Sequence, residues 1–423
     1  MAGHDWIKLL VITAGLLPAG AAWAGPPGPD GSKLDDERLL PGIYPAAPEI
    51  AARPEEPAHP PFHLDWSIGL KGSYAASSAS GGSFLTTLNP AFTATHDGRR
   101  LNLVIDGDAE IARPWSASGN VDVTALRLGL AADSALDRST RISGKAALAF
   151  SQKLPGAPEL DPLVIQPAQE LTGALGLGIE RRFGKVNLGL KGDVERTIMG
   201  PTTRADTGIT DNSSQNLWAA DIALRAGLQV TPIFEIFGEA GISRDMFDQA
   251  TPSLGVAADA TGKSLRGGIA GNWNGILTAG ASIGVGHHDF DAAGLADISA
   301  QLYDASLTYS PDSTLSLTAA LSTNIEPTGA DANGTARIQH LATAGLSYKV
   351  NSWLRLRASA DWGLSVLEGN GETERRHGAG AGADYAVNAH TALSADYGYS
   401  HRDNSRTGAV DTHTISLGVI LKR

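Results

Sequence analysis

From Phe62 to the last residue, apolar and polar side chains alternate with a period of two. Phe62, Leu64, Trp66, Ile68 and Leu70 are apolar, and His63, Asp65, Ser67 and Lys71 fall between them. Such a period sends successive side chains to opposite faces of a β-strand, so each segment has one oily face and one wet face. About seventeen further segments of roughly ten to twelve residues read the same way. So many half-apolar strands behind a secretion signal are satisfied most economically by a closed barrel in a lipid bilayer. Lipid then covers the apolar face and water fills the interior. The expected class is all-β, a transmembrane antiparallel up-and-down β-barrel.

The N-terminus carries the secretion signal. Lys8 precedes the apolar run from Leu9 to Leu17, and Ala22-Trp23-Ala24 supplies the small-x-small cleavage pattern. The run is too short to span a bilayer comfortably, and no second apolar stretch of spanning length follows. The chain divides into a signal peptide (1–24), a Pro-rich periplasmic leader or plug (25–61) and the barrel (62–423). The leader holds ten of the 22 prolines, which favours extended, weakly packed chain. There is no cysteine, hence no disulfide, thiolate chemistry or Cys-ligated metal. A net charge of −12 without a basic patch argues against nucleic acid as a partner.

Candidate strands fall near 62–75, 84–96, 100–112, 121–133, 141–151, 169–181, 186–198, 216–230, 234–245, 263–272, 276–288, 300–310, 315–325, 337–349, 353–364, 376–386, 391–401 and 412–422. That is about eighteen, with sixteen as the alternative, and even numbers are the rule for single-chain bacterial barrels. Links after even-numbered strands are tight and carry turn residues, as in Arg182-Phe183-Gly184-Lys185 and Asn272-Trp273-Asn274-Gly275. Links after odd-numbered strands, such as 152–168, 199–215 and 246–262, are longer. Short periplasmic turns and long extracellular loops give this asymmetry. Aromatic residues gather at both ends. Phe62, Phe183, Phe234, Trp273, Tyr309, Tyr348, Trp353 and Tyr385 fall at the short-turn end, and Tyr74, Phe84, Phe150, Trp218, Tyr303, Trp362 and Tyr399 toward the long loops. Two interfacial belts are expected.

With strands, turns and belts in place, the chain resembles bacterial outer-membrane β-barrels, and more narrowly the β-barrel porin type 2 family of Gram-negative bacteria. The resemblance rests on the Pro-rich leader, a first strand from Phe62 to Tyr74, and the closing hairpins. These last contain Ala383-Asp384-Tyr385-Ala386-Val387-Asn388, Ala395-Asp396-Tyr397-Gly398-Tyr399-Ser400 and Ile415-Ser416-Leu417-Gly418-Val419. It covers about residues 60–423 and implies a barrel with a pore, located in the outer membrane and inserted by the barrel assembly machinery. One departure is the C-terminus. Many such barrels end in an aromatic residue that marks them for insertion, whereas this chain ends Leu421-Lys422-Arg423.

If the apolar set faces lipid, the other set lines the pore. Its acids are Asp65, Asp106, Asp108, Glu110, Asp193, Glu195, Asp221, Glu235, Glu239, Asp304, Asp361, Asp384 and Asp396, and its bases Lys71, Arg127, Lys145, Lys191, Arg225, Arg266, Arg355 and Arg357. The acids outnumber the bases, and an acidic water-filled pore concentrates cations. Pairing of acids and bases across strands would instead leave it nearly unselective. Asp106, Asp108 and Glu110 share one strand face at spacing two. Carboxylates in that pattern more often meet Arg or Lys than a divalent cation, and no metal site is assigned. Arg355 and Arg357 are their counterparts in kind.

His287-His288-Asp289-Phe290-Asp291 sits at a strand's loop end. A hydrolase there would need a partnered nucleophile, and no motif singles one out among the many serines, so these residues read as a polar loop base. Gly378-Ala379-Gly380-Ala381-Gly382 lacks a dinucleotide-binding context. Its small residues leave room in the lumen for a loop or the leader to pack. No catalytic residue or cofactor is expected. The chain reads as a non-enzymatic channel for passive diffusion of small hydrophilic solutes with a modest cation preference. The alternative is a barrel assisting exopolysaccharide export, or a surface barrel with a blocked lumen. Partners are outer-membrane lipid, the assembly machinery and the solutes, and the sequence leaves a homotrimer open.

Overall fold

The computed structural model describes residues 62–423 apart from 80, 99, 116–119, 155–162, 253, 328–333 and 370. The signal peptide and the leader lie outside the described residues. Twenty-one strands are present: β1 (Phe62–Ser77), β2 (Gly81–Asp97), β3 (Leu101–Pro114), β4 (Asp122–Ala135), β5 (Thr140–Gln152), β6 (Val164–Gln166), β7 (Gln169–Phe183), β8 (Val186–Met199), β9 (Thr202–Arg204), β10 (Gly208–Thr210), β11 (Leu217–Gln229), β12 (Phe234–Phe247), β13 (Ala260–Trp273), β14 (Leu277–Phe290), β15 (Ile298–Tyr309), β16 (Leu315–Pro327), β17 (Ala336–Lys349), β18 (Leu354–Leu367), β19 (Thr373–Ala386), β20 (Thr391–Asn404) and β21 (Gly408–Lys422). Eighteen of them form one antiparallel sheet, and β6, β9 and β10 form a small separate one in the loops. Each barrel strand pairs with its sequence neighbours, and β21 pairs with β1 from Ser67↔Lys422 to Ser77↔Thr412, which closes the sheet on itself. The expected strand count and class both hold.

Side-chain distribution is inverted relative to a protein folded in water. Leu177, Leu265, Ile283, Ile415 and Leu417 are all more than half exposed. The buried apolar residues are mostly alanines, and Thr87, Glu170, Thr172 and Gln339 are buried among the polar ones. An apolar surface this extensive has lipid as its natural solvent. Among the described residues no helix is long and apolar enough to cross a membrane, and the crossing is made by strands.

Tight turns set the register at one end. In the β13–β14 hairpin, Asn274 and Gly275 take φ of 52° and 72°, the paired left-handed conformation of a two-residue turn that follows strand twist. The Ile276 amide donates to the Trp273 carbonyl at 2.9 Å, and the Gly275 amide donates to Asn272 Oδ1 at 2.8 Å. Aromatic rings crowd this end, with Phe234 edge-on to Trp273 at 5.1 Å and Trp353 to Tyr385 at 5.4 Å. At the opposite end Tyr74 lies 4.7 Å from Phe84, and Trp218, Tyr303 and Trp362 stand outward.

Two features escape the sequence pattern. Several strands continue beyond their expected ends on the long-loop side: β19 starts at Thr373, β20 reaches Asn404 and β21 starts at Gly408. Both faces meet water there, so the ladder goes on without apolar alternation. The second is a seam. The β15–β16 ladder runs only over the six pairs from Asp304↔Ser322 to Tyr309↔Leu317. Its neighbour β14–β15 extends on to His288↔Ile298, so the long-loop half of β15 is paired on one side. Beside the seam, Leu302 and Thr323 are almost fully buried. A methyl placed on Gly286 would lie 3.1 Å from Leu302 Cδ1 and 3.2 Å from Ile325 Cδ1, so these side chains pack over it.

Candidate functional site

Register assigns each charged candidate to a face. Asp65 and Lys71 alternate with Leu64 and Leu70 on β1 and stand opposite Thr93 and Thr87. Asp106 and Asp108 stand opposite Thr93 and Ala91 on that same face, and Glu110 follows them at the same spacing. Continuing from ladder to ladder, Lys191, Asp193, Arg225, Glu235, Glu239, Arg355, Arg357 and Asp361 also lie opposite the exposed apolar rows, on the inner wall.

The inner wall carries three kinds of polar contact. Around β18–β20, Arg357 is the hub. Its guanidinium donates to Asp384 Oδ2 at 2.9 Å, to Asp384 Oδ1 at 2.8 Å and to Asp396 Oδ1 at 2.8 Å. A concavity of about 540 Å³ borders it, lined among others by Lys71, Thr318, Ser359, Asp396 and Ser416. The glycines of the Gly378–Gly382 stretch belong here. A Cβ on Gly380 would meet Ser359 Oγ at 2.7 Å, and one on Gly382 would collide with Asp396 and lie 3.2 Å from Arg357 Nη2. The wall is stripped of side chains so that neighbouring polar groups can lie flat on it.

On β11 and β12, Arg225 Nη2 donates to Glu235 Oε1 at 2.7 Å, while its guanidinium sits 4.0 Å above the Phe237 ring. Phe237 is an aromatic on the inner face, and the signal for it was its parity with Glu235 and Glu239. Glu239 stands opposite Arg225 on one side and Arg266 on the other.

The third contact is between like charges. Asp193 faces Asp221 across the β8–β11 ladder. Across the β3–β4 ladder, Arg127 Nη1 donates to Asp108 Oδ2 at 3.4 Å, and Thr124 Oγ1 donates to Glu110 Oε1 at 2.8 Å. Arg355 and Arg357, matched in kind with this acidic row in the sequence, are engaged elsewhere: Arg357 as above, and Arg355 opposite Asp384. His287 and His288 occupy opposite faces of β14, with His288 on the inner wall and His287 outside. His287, Asp289 and Asp297 offer ligand atoms within 4.8 Å of one another.

No curated protein sequence matches the chain. Solved structures similar to the chain include an outer membrane protein and a ferric enterobactin receptor of Pseudomonas aeruginosa. OpdK of Pseudomonas aeruginosa aligns over 85% of this chain and 99% of its own at 11% identity and a TM-score of 0.41. OccAB4 of Acinetobacter baumannii aligns over 85% and 98% at 14% identity and a TM-score of 0.39. The ferric enterobactin receptor of Pseudomonas aeruginosa, in mutant form, aligns over 85% and 80% at 7% identity and a TM-score of 0.44. Residues 63–423 match the family model described as "Putative beta-barrel porin 2". The chain belongs to that family and is a porin-like β-barrel of the Gram-negative outer membrane.

Proposed function

We propose that the barrel is a passive diffusion channel for small hydrophilic solutes with a modest preference for cations. The observation that supports it is the inner wall. Charges of both signs line it, and acids are in excess, with Asp193 beside Asp221 and Asp106 beside Asp108. Eighteen strands fall in the size range of barrels that leave an aqueous channel. Negative charge on such a wall raises local cation concentration and lowers the barrier to cation entry. The salt-bridged hub at Arg357 presents both signs close together, an arrangement suited to orienting dipolar solutes. Insertion through the barrel assembly machinery and association as a homotrimer belong to the same reading.

The test is single-channel recording of the purified full chain in a planar bilayer under a salt gradient. The expected result is stable ohmic steps with a cation-leaning reversal potential. Replacing Asp106, Asp108 and Glu110 by Asn, Asn and Gln should move that potential toward zero. A folded barrel that carries no current overturns the open channel and moves polymer export or a structural role to first place.

A further inference from the structure

The outer surface holds a side-chain arrangement that diffusion does not need. On β14, Ile283 and Val285 face outward, each 59% exposed, and His287 and Asp289 continue that row toward the long loops. Ser299 of β15 stands opposite His287 in register, and Gln301 and the girdle residue Tyr303 follow it on the same face. His287 Nδ1 lies 2.8 Å from Ser299 Oγ, and His287 Nε2 lies 2.7 Å from Asp289 Oδ1. Lys263 Nζ holds the second carboxylate oxygen of Asp289 at 2.6 Å. The nucleophile that the sequence could not single out is supplied by strand pairing.

We propose that Ser299, His287 and Asp289 form a hydrolytic triad on the outer surface of the barrel, acting on carboxylic esters of outer-leaflet lipids. Chemistry requires one imidazole nitrogen to accept a proton while the other donates to a fixed carboxylate. Here the usual assignment of the two nitrogens is exchanged and both roles are filled. With the Nε2 proton directed at Asp289, Nδ1 accepts the Ser299 hydroxyl proton as Oγ attacks the ester carbonyl carbon. The carbonyl electron pair moves to oxygen and returns as the bond to the alcohol breaks. The alcohol leaves with the proton held on Nδ1. Water, deprotonated at the same nitrogen, then cleaves the acyl–Ser299 bond, releasing a carboxylic acid and restoring the hydroxyl. The sum is ester plus water giving acid plus alcohol.

The seam described above supplies what stabilises the oxyanion. The Ser310 amide donates to the Ile276 carbonyl on the β14 side, so even-numbered amides of β15 point to β14 and odd-numbered ones toward β16. The ladder to β16 ends at Asp304↔Ser322, which leaves the β16-facing amides of Ser299 and Gln301 beyond the paired stretch. The Ser299 amide, on the residue that carries the attacking oxygen, is the backbone donor placed to hold a tetrahedral oxyanion, whereas that of Gln301 lies about 7 Å further along the strand. Height selects the substrate. The triad lies just beyond the apolar row and the Tyr303 ring, where headgroups meet acyl chains and lipid ester bonds are found.

The test uses the full chain in detergent micelles with a fluorophosphonate probe and p-nitrophenyl esters of short and long acyl chains. Expected are a single label on Ser299, read by peptide mass, and hydrolysis that favours the long-chain ester. Ser299→Ala and His287→Asn should each lower turnover by about 10²-fold or more, with heat-modifiable gel mobility unchanged as the check on folding. Wild-type protein that neither labels nor hydrolyses overturns the proposal, as does turnover that survives in Ser299→Ala. Turnover that survives in Ser299→Ala yet is lost on chelation assigns the chemistry to a cation held by His287, Asp289 and Asp297 instead. Preference for the short-chain ester overturns the lipid as substrate.

Discussion

At the scale of single residues, adjacent positions carry opposite obligations. Ile283 faces outward and is 59% exposed, whereas Ser282 faces inward and pairs with Asp304. An Ile283→Arg substitution, level with the girdle residue Tyr303, should cost about 1–2 kcal/mol, between the interfacial and midplane ranges for a cation. Ser282→Arg, which meets a carboxylate and water, should cost far less. Urea titration of the two variants in lipid vesicles measures the difference. In the β4–β5 turn, Ser139 and Thr140 donate to Asp137. These hydrogen bonds, led by the Ser139 hydroxyl, hold its carboxyl down at about 2. A depressed folded value stabilises above the unfolded value of roughly 3.9 and loses that stabilisation as pH falls toward the folded one. The stability gap between wild type and Asp137→Asn should therefore be constant at neutral pH and close between about pH 4 and pH 2. A gap that ignores pH would show that the turn does not depend on the carboxylate.

At the scale of elements, the eighteen barrel strands were legible because lipid enforces alternation on every residue that crosses it. Where that constraint ends, so does legibility. The expected start of the sixteenth strand, β19, at 376 missed Thr373, Glu374 and Arg375, which extend the ladders to β18 and β20 on the long-loop side. The loop sheet of β6, β9 and β10 was not anticipated, since three-residue strands leave no period to detect. Parity alone picked out the charged candidates for the inner wall. Their partners were not: nothing in the order of residues joins Arg357 to Asp396 or His287 to Ser299, because ladder register decides both. The β15–β16 seam was likewise invisible, and it makes its own prediction. Amides of Ser299 and Gln301, beyond the last ladder pair, should exchange with solvent deuterium much faster than those of Ala305 and Leu307 within it. Equal protection, followed by NMR in micelles, would mean that the two edges are joined after all.

At the scale of the whole molecule, cohesion runs around a circumference. The last ladder joins β21 to β1, and the Arg423 amide donates to the Trp66 carbonyl at 3.0 Å, so even the C-terminal residue is built into the closure. Hydrogen-bonded ladders hold the strands together and lipid satisfies the outward rows, so stability is settled before the inward rows are considered. Among the described residues, the buried apolar side chains are few and mostly alanines. A protein built this way separates inheritance of shape from inheritance of selectivity: its inward-facing half can change charge, size and polarity generation after generation while the scaffold that displays it stays the same.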